Sequence, residues 1–169
     1  EVENCRDGNK YTERFEKGAV ARPFKCEGDC GDRHGVYVRF KPDGTIFEDT
    51  VFDYDILLTR MREQAFLNAG VKIILIDERE GSEREEILHY EGGIISFVEY
   101  LNNEKRGIPI HNDVIYMRGE ENGSIAEVAM QYNDSYNETI ISFANNMSTI
   151  EGGTHETGFK SALTKAIND

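Results

Sequence analysis

The sequence predicts an α+β protein, and three observations lead to this prediction. Apolar residues alternate with polar ones in some segments and recur every three to four residues in others, so strands and helices are both expected. The pairs Asp7-Gly8 and Asn122-Gly123 separate strand-like segments, as is typical of two-residue hairpin turns. A polar stretch at residues 102–112 then divides the chain into two modules, 1–101 and 113–169.

The first module is predicted to begin with a polar hairpin at residues 1–18. A loop is expected at 19–35, because Pro23 and several glycines interrupt that segment. The alternation in Val36 to Phe40 predicts a half-buried strand, and the 3.6-residue pattern after Asp53 or Asp55 predicts a helix that ends before Gly70. An apolar central strand at 71–76, a strand at 87–90 and a short helix after Gly92-Gly93 complete this module.

The second module follows the predicted linker, which is polar and contains Gly107 and Pro109. Strands are predicted at residues 114–117, 125–132 and 139–144. The last segment predicts a helix with one apolar stripe, formed by Phe159, Ala162, Leu163, Ala166 and Ile167. We therefore expect Phe159 to belong to the core and Lys160 to be exposed.

The composition excludes several classes of protein. The 169 residues carry 19 basic and 32 acidic side chains, a net charge of −13, which disfavours direct binding to the DNA backbone. The apolar runs are too short to span a bilayer. The cysteines number three, which implies no disulfide framework and suits a reducing cytosol.

Cys26, Cys30 and His34 are spaced by four residues, which raises the question of a zinc site. Structural zinc sites use a closer first pair, and a fourth ligand is missing unless Cys5 joins the group. We therefore predict loop thiols and no metal.

The segment Gly152-Gly153-Thr154-His155 lies just before the last helix. Glycine pairs of this kind cradle a phosphate, bind a metal or turn a corner, but the lysine context of a P-loop is missing. The residues favour a turn followed by a helix cap, with Thr154 or Thr157 supplying the cap oxygen. His155 is a candidate acid–base or metal-binding residue, and the residues alone form no catalytic constellation.

Residues 131–169, QYNDSYNETIISFANNMSTIEGGTHETGFKSALTKAIND, resemble the transducer segment of the B subunit of bacterial DNA gyrase. That family has a QYND-x-Y-x-E-x-I-x-SF-x-NN run that leads into T-x-EGGTH-x-x-GF-x-x-ALT. The upstream segments RDGNKYTERFEKG, VRFKPDGTIFEDTVFDYDILLTRMREQAFLNAGVKIILIDER and HYEGGIISFVEYLN resemble the same family in the same order. AFLNAGVKI and STIEGGTH look more like gyrase than like its paralogue, topoisomerase IV.

The resemblance implies a fold and a function. Residues 1–101 would form the C-terminal half of a GHKL ATPase α/β sandwich, and residues 113–169 the first part of a ribosomal-protein-like, left-handed βαβ transducer module. The whole family protein would be a bacterial, cytoplasmic type II topoisomerase that couples ATP binding and hydrolysis to DNA strand passage and supercoiling. Its cofactors would be ATP and Mg²⁺, its partners DNA and the gyrase A subunit, and its ATPase gate would be a homodimer.

The resemblance also implies roles for individual residues. Arg6 matches the arginine at the rim of the nucleotide pocket, which contacts aminocoumarin inhibitors in this family, and Gly35 and Val36 lie on the pocket wall. The family has a threonine where this chain has Val36, so either Tyr37 and backbone groups compensate or adenine recognition is weaker. Gly152, Gly153, Thr154 and His155 would form a structural strand-to-helix corner of the transducer.

The family's nucleotide boxes, an E-x-x-x-N helix, a D-x-G-x-G segment and a glycine-rich lid, match no segment here and belong upstream. The Q-T-K loop that reaches the γ-phosphate belongs after the last helix. The resemblance therefore implies an internal fragment without catalytic residues, which binds no cofactor and is inactive alone. The alternative is a free-standing, non-enzymatic protein that reuses these modules to bind a partner.

Overall fold

The structure, a computed structural model, describes residues 1–105 and 108–168. Arg106 and Gly107 of the predicted linker, and Asp169, lie outside the described residues. Strands and helices both occur, so the predicted α+β class is confirmed. The chain divides into two compact units, Glu1–Phe52 and a second unit that begins at Asp53.

The first unit is a four-stranded antiparallel sheet in the order β3-β2-β1-β4. Its strands are β1 (Val2–Arg6), β2 (Asn9–Glu16), β3 (Ala19–Asp29) and β4 (Gly35–Val38). The predicted Asp7-Gly8 turn joins β1 to β2, with φ angles of 51° and 75°. Lys17-Gly18 joins β2 to β3 with similar angles, 51° and 81°. Such turns match the right-handed twist of the strands they connect.

The predicted loop at residues 19–35 is wrong for its first eleven residues, which form β3. Proline and glycine weigh against a strand in sequence reasoning, but β3 lies at the edge of the sheet, where a missing N–H is tolerated. The ladder to β2 shifts register between Thr12 and Arg14, opposite the segment that holds Pro23. An irregular edge strand therefore accommodates the residues that predicted a loop.

The second unit begins with α1 (Tyr54–Leu67), as predicted from the aspartates before it. The side chain of Asp53 accepts hydrogen bonds from the backbone N of Asp55 at 2.9 Å and of Ile56 at 3.0 Å, so it caps the helix. The antiparallel strands β5 (Lys72–Asp77) and β6 (Arg84–His89) follow, and then α2 (Ile94–Lys105). Among the described residues β5 pairs with β6 alone, so its predicted central position in a sheet is not seen.

Phe66 of α1 is the centre of the core of the second unit. Its side chain is 1% exposed and stacks on Tyr90 and Phe97, with ring centroids 3.7 and 4.7 Å away. Leu88 of β6 is equally buried. This core packs α1 against α2 and the β5–β6 hairpin.

The remaining elements of the second unit are β7 (Ile115–Glu121), β8 (Ser124–Met130), β9 (Phe143–Ala144), β10 (Met147–Ser148) and α3 (Thr154–Asn168). Asn122-Gly123 turns β7 into β8 as predicted, with φ angles of 51° and 77°. The strand predicted at 139–144 is reduced to β9, because the ladder to β10 is only two residue pairs long.

The last helix, α3, differs from its prediction in burial. None of its described residues is buried; Phe159 and Leu163 are half-buried, and Ile167 is 65% exposed. The expectation that Phe159 is a core residue is therefore wrong for this structure. Lys160 is exposed as expected, and its Nζ lies 3.0 Å from Glu156 and 3.3 Å from Glu138.

The segment predicted as a linker begins as helix, because α2 continues to Lys105. Beyond it, Pro109 forms an isolated bridge with Asn133. The amide of Asn102, in α2, donates a 2.7 Å hydrogen bond to Gln131 and so connects the two sides of the segment. The division into domains at residues 101 and 113 stays a prediction.

Candidate functional site

Arg6 lies at the end of β1, beside the start of β4. The ladder between these strands places Cys5 opposite Gly35 and Asn4 opposite Val36. Because side chains alternate along a strand, Arg6 and Val36 face the same side of the sheet. The Arg6 side chain is 71% exposed, and its Nε lies 3.7 Å from the carboxylate of Asp7. The structure thus brings together the three residues assigned to the nucleotide pocket.

Gly35 opens β4 with a φ of 140°. A Cβ atom there would have nothing within 4 Å, so the backbone conformation and not the available space requires glycine. The Gly35 conformation starts the strand that carries Val36.

Val36 leaves an apolar, 66% exposed side chain on the face it shares with Arg6. Tyr37 pairs with Glu3 and lies on the opposite face. The alternation of β4 therefore argues against the Tyr37 hydroxyl as a replacement for the family threonine. What this face offers a ligand is one exposed cation, an apolar side chain and backbone groups.

The Gly152-Gly153-Thr154-His155 segment forms a tight corner between β10 and α3. Gly152 has a φ of 75°, and its backbone N donates to the carbonyl of Thr149 at 2.8 Å. A Cβ on Gly153 would lie 2.7 Å from the imidazole of His155, so the ring packs over this glycine. Both glycines therefore have a structural role, because they allow the chain to turn from β10 into α3.

A hydrogen-bond network closes this corner. The Thr149 hydroxyl donates to the Ser142 carbonyl at 3.0 Å and lies 2.7 Å from the Ser142 hydroxyl, which donates to Glu156 at 3.0 Å. The Nε2 atom of His155 is 3.1 Å from the Thr149 oxygen. Because both hydroxyl protons are already used, this assignment makes the imidazole nitrogen the donor.

Charge reinforces the network. The hydrogen bond with Lys160 lowers the pKa of Glu156, and the hydrogen bond from Ser142 lowers it further. The hydrogen bond between Glu156 and Lys160 also raises the pKa of Lys160. An ionised Glu156 in the first turn of α3 is favourable, because the helix N-terminus carries partial positive charge. The network holds the start of α3 in place.

The prediction that a threonine hydroxyl caps the start of α3 is wrong. Thr154 is the first residue of α3, and the Thr157 hydroxyl donates back to the Gly153 carbonyl at 3.2 Å, so it satisfies no orphan N–H group. Sequence reasoning favoured threonine because it is a common cap residue. It missed Ser142 and Thr149, which are brought to the corner by the β9–β10 hairpin.

A second contact that sequence reasoning missed joins this hairpin to α1. The side-chain amide of Gln64 donates to the Asn146 carbonyl, and the Asn146 amide donates to Asn68, both at 2.9 Å. The hairpin also approaches α2, since the ring centroids of Phe97 in α2 and Phe143 in β9 are 6.3 Å apart. Asn145 and Asn146 both have positive φ, which asparagine tolerates better than most residues. The two consecutive asparagines are the feature of the sequence that could have predicted this turn.

The three cysteines do not meet at one point. The sulfur of Cys26 is 4.0 Å from the amide oxygen of Asn9, whereas the thiol of Cys30 donates to the Arg33 carbonyl at 3.7 Å. Within the described ranges, 1–105 and 108–168, no group of three or more His, Cys, Asp or Glu side chains is arranged to hold a metal ion. In the same ranges, no helix has the length and apolar character needed to cross a membrane.

Comparison with known proteins finds similarity to the B subunits of gyrase and of topoisomerase IV. The family model described as DNA gyrase B matches residues 93–169. The chain is 53% identical to the DNA gyrase B protein of Clostridium acetobutylicum, over 100% of this chain and 26% of that protein. It is 49% identical to the DNA topoisomerase 4 B protein of Enterococcus faecalis, over 100% of this chain and 24% of that protein.

Along its whole length, the chain is similar to gyrase B proteins. It spans about a quarter, 26%, of the length of its Clostridium relative. The crystal structure of the 43K ATPase domain of Thermus thermophilus gyrase B, in complex with an aminocoumarin, matches with a TM-score of 0.84 at 33% identity. That match covers 99% of this chain and 45% of the Thermus chain, so the fold described here is that of part of a gyrase B ATPase region.

Proposed function

We propose that this chain is part of the ATPase and transducer region of an ATP-hydrolysing type II DNA topoisomerase, in which it couples ATP binding and hydrolysis to strand passage and supercoiling. The observation that supports this most is the 53% identity to a gyrase B protein along the whole chain. The fold of the Thermus gyrase B ATPase domain, reproduced over 99% of this chain, supports the same function.

The residues present fit the wall of an adenine-nucleotide pocket. Arg6 presents an exposed guanidinium that would pair with polar groups of a bound nucleotide or of an aminocoumarin, the class of ligand in the Thermus structure. Val36, on the same face, would contact the base through its apolar side chain. ATP with Mg²⁺ would supply the phosphoryl group that is hydrolysed.

The chain alone is proposed to neither hydrolyse ATP nor bind it tightly. One charge-assisted contact from Arg6 contributes about 1–3 kcal/mol. Even millimolar binding needs about 4 kcal/mol. ATP hydrolysis also needs a group that activates water and cations that stabilise the γ-phosphate, and we assign these to the rest of the relatives' length.

The contact between α1 and the β9–β10 hairpin is proposed to relay the nucleotide state. Gln64 and Asn68, at the C-terminal end of α1, hold Asn146, and the same hairpin carries Thr149 and, just before it, Ser142, which fix the start of α3. A displacement of α1 would therefore reach α3 through hydrogen bonds and not only through apolar packing. The structural corner of this relay would be formed by Gly152, Gly153, Thr154 and His155.

The proposed partners belong to the whole protein. They are DNA, a gyrase A subunit and a second copy across the ATPase gate, in a bacterial cytoplasm. The net charge of −13 supports a relay module, because an acidic surface repels the DNA backbone.

The test begins with the reading frame that contains this chain. We expect upstream sequence with the E-x-x-x-N and D-x-G-x-G boxes, and an expressed protein that supercoils DNA in the presence of ATP and a gyrase A subunit. Arg6→Ala should weaken nucleotide binding by roughly 5- to 150-fold, as the loss of about 1–3 kcal/mol implies. Arg22→Ala, in the edge strand β3, is the matched control and should leave binding unchanged.

Two outcomes would contradict the proposal. A start codon directly before Glu1, with no ATP-dependent supercoiling, would favour the free-standing binding module instead. Micromolar ATP binding by the 169-residue chain alone, abolished by Arg6→Ala, would mean that the chain contains a complete nucleotide site.

A further inference from the structure

Asn122 and Gly123 form the exposed tip of the β7–β8 hairpin, and they are the one Asn-Gly pair in the sequence. The ladder between the two strands ends at the pair of Glu121 and Ser124, so both tip residues lie outside it. Their φ angles are 51° and 77°. The tip thus joins an asparagine side chain to a glycine nitrogen that strand pairing does not hold.

The surroundings of this tip are open. A Cβ atom built on Gly123 would have no described atom within 4 Å. Within residues 1–105 and 108–168, no hydrogen bond holds the side-chain amide of Asn122. An exposed hairpin tip also opens at a low cost in free energy, because few contacts are lost when it does. The Asn122 side chain can therefore reach the backbone nitrogen of Gly123.

We propose that Asn122 is a site of spontaneous deamidation, in which Gly123 supplies the attacking nitrogen. Attack by the nitrogen of the next residue closes a succinimide ring, and glycine presents the least hindered nitrogen because it has no side chain. The backbone of Asn122 must rotate out of its turn conformation for this attack, and the position at a hairpin tip allows that rotation.

The reaction takes place in two balanced steps. The nitrogen of Gly123 loses its proton and attacks Cγ of Asn122; the N–Cγ bond forms, the Cγ–Nδ2 bond breaks, and Nδ2 leaves as ammonia with that proton. Water then adds to one carbonyl of the succinimide. Cleavage of the new N–Cγ bond gives aspartate, whereas cleavage of the original peptide C–N bond gives isoaspartate, in which the main chain runs through Cγ. In total, one amide and one water give one carboxylic acid and ammonia.

Two other hairpin turns of this chain each lack one of the required features. Asn145-Asn146 also has positive φ angles, 49° and 63°, but the attacking nitrogen would belong to Asn146, whose side-chain amide donates to Asn68 at 2.9 Å. Asp7-Gly8 has the glycine, but its side chain is a carboxylate. A carboxylate is negatively charged and has no ammonia to lose, so it resists attack at neutral pH. Asn122-Gly123 combines the amide, the glycine and the open tip.

Deamidation would change both the charge and the geometry of the tip. Either product places a new carboxylate beside Glu120 and Glu121, where like charges repel each other. Isoaspartate also adds an atom to the main chain, which the close-fitting two-residue turn does not accommodate. We expect the adjoining pair of Glu121 and Ser124 to open in the isoaspartate product.

The test uses the protein expressed from its full reading frame. The folded protein is incubated at neutral pH in water enriched in heavy oxygen and digested in ordinary water, so only deamidation during the incubation labels the product. A protease that cleaves after glutamate releases residues 122–127 and 139–151, which separates Asn122 from Asn145 and Asn146. Mass spectrometry measures each conversion, and methylation by a protein isoaspartyl methyltransferase detects isoaspartate. We expect Asn122 to be converted first, with isoaspartate among its products.

Two variants should change the reaction in opposite directions. Gly123→Ala should slow the conversion of Asn122, because a methyl group hinders the nitrogen. Asn146→Gly should make Asn145 reactive, since it removes both the hindering side chain and the hydrogen bond to Asn68. Glycine keeps the positive φ of that turn, and circular dichroism checks that each variant is folded.

Three outcomes would overturn the proposal. In the first, the folded protein keeps the Asn122 amide and loses it only in urea. In the second, another asparagine is converted before Asn122. In the third, aspartate forms without isoaspartate, because direct hydrolysis of the side chain gives aspartate alone. None of them bears on the proposed ATPase role, which depends on other residues.

Discussion

At the scale of single residues, Asp77 at the end of β5 is a buried carboxylate that is paired with Arg79, two residues further along the chain. It is 8% exposed and accepts hydrogen bonds from Arg79, from Nε at 2.8 Å and from the backbone N at 3.1 Å. These contacts lower its pKa from 3.8 to about 2. The ionised form is therefore stabilised by folding.

The stability that Asp77 contributes should depend on pH. Because its pKa is lower in the folded state, the contribution is complete above the unfolded value of 3.8 and is lost as the pH falls towards about 2. Asp77→Asn should reduce stability at neutral pH and flatten its decline between pH 4 and 2, measured by urea unfolding. Glu78→Gln, at the exposed neighbouring position, is the control and should keep the wild-type slope.

Phe66 and Phe159 are two phenylalanines of unequal burial. Phe66 is 1% exposed within stacked rings, so Phe66→Ala should lower the free energy of unfolding by about 3–5 kcal/mol. Phe159 is only half-buried on α3, so Phe159→Ala should cost at most about 2 kcal/mol. Denaturant titration of the full-length protein checks both, and equal losses would show that α3 is buried more deeply than it is here.

At the scale of elements, two glycines near the start of α3 should respond in opposite ways to alanine. Gly152 has a φ of 75°, and a Cβ there would lie 3.4 Å from Glu156, so Gly152→Ala should destabilise by about 1–2 kcal/mol. Gly158 is within the helix with open space around it, so Gly158→Ala should stabilise by up to about 1 kcal/mol. Thermal unfolding should show shifts of opposite sign, and a stabilising Gly152→Ala would contradict the described corner.

The link between α1 and the β9–β10 hairpin can be measured by a double-mutant cycle. Asn68→Ala and Asn146→Gly each remove one side of the 2.9 Å amide hydrogen bond, and glycine preserves the positive φ of the turn. We expect a coupling energy of about 0.5–1.5 kcal/mol in unfolding. The pair Thr59→Ala and Asn146→Gly should be additive, because the Thr59 hydroxyl donates within α1, to the Asp55 carbonyl. A coupling near zero for the first pair would contradict the contact.

At the scale of the whole molecule, the exposed apolar side chains stand out. In the second unit Ile74, Ile76 and Ile87 of the β5–β6 hairpin are 50–54% exposed, and in the first unit Val36, Val38 and Phe40 are 61–71% exposed. Monomeric soluble proteins rarely leave large apolar patches uncovered. The Clostridium relative is about four times as long as this chain, which spans 26% of it, so other parts of such a protein are available to cover these side chains.

The expected consequence is a difference between the isolated chain and the full-length protein. The isolated chain should bind more of an apolar dye such as ANS per mole, and should associate as its concentration rises. Dye fluorescence and light scattering at matched molar concentration measure both effects. Ile74→Lys, which places a charge on an exposed position of β5, should reduce association of the isolated chain. Equal dye binding by the two proteins would show that these side chains are covered in another way.

The sequence by itself determined the features whose causes are local. Asp7-Gly8 and Asn122-Gly123 turn the chain because glycine and its neighbour tolerate positive φ, and Asp53 begins α1 because its carboxylate caps the first turn. The similarity to gyrase B was likewise readable, since matching motifs run in order along the chain.

Tertiary structure alone decided what depends on partners distant in the chain. Residues 19–29 became a strand because an edge position tolerates Pro23, and Phe159 stayed half-buried because the second unit offers α3 too little cover. The contact of Asn146 with α1 likewise depends on chain segments that meet only after folding. Periodicity records which face of an element is apolar, whereas the surface that meets this face is set by the whole fold.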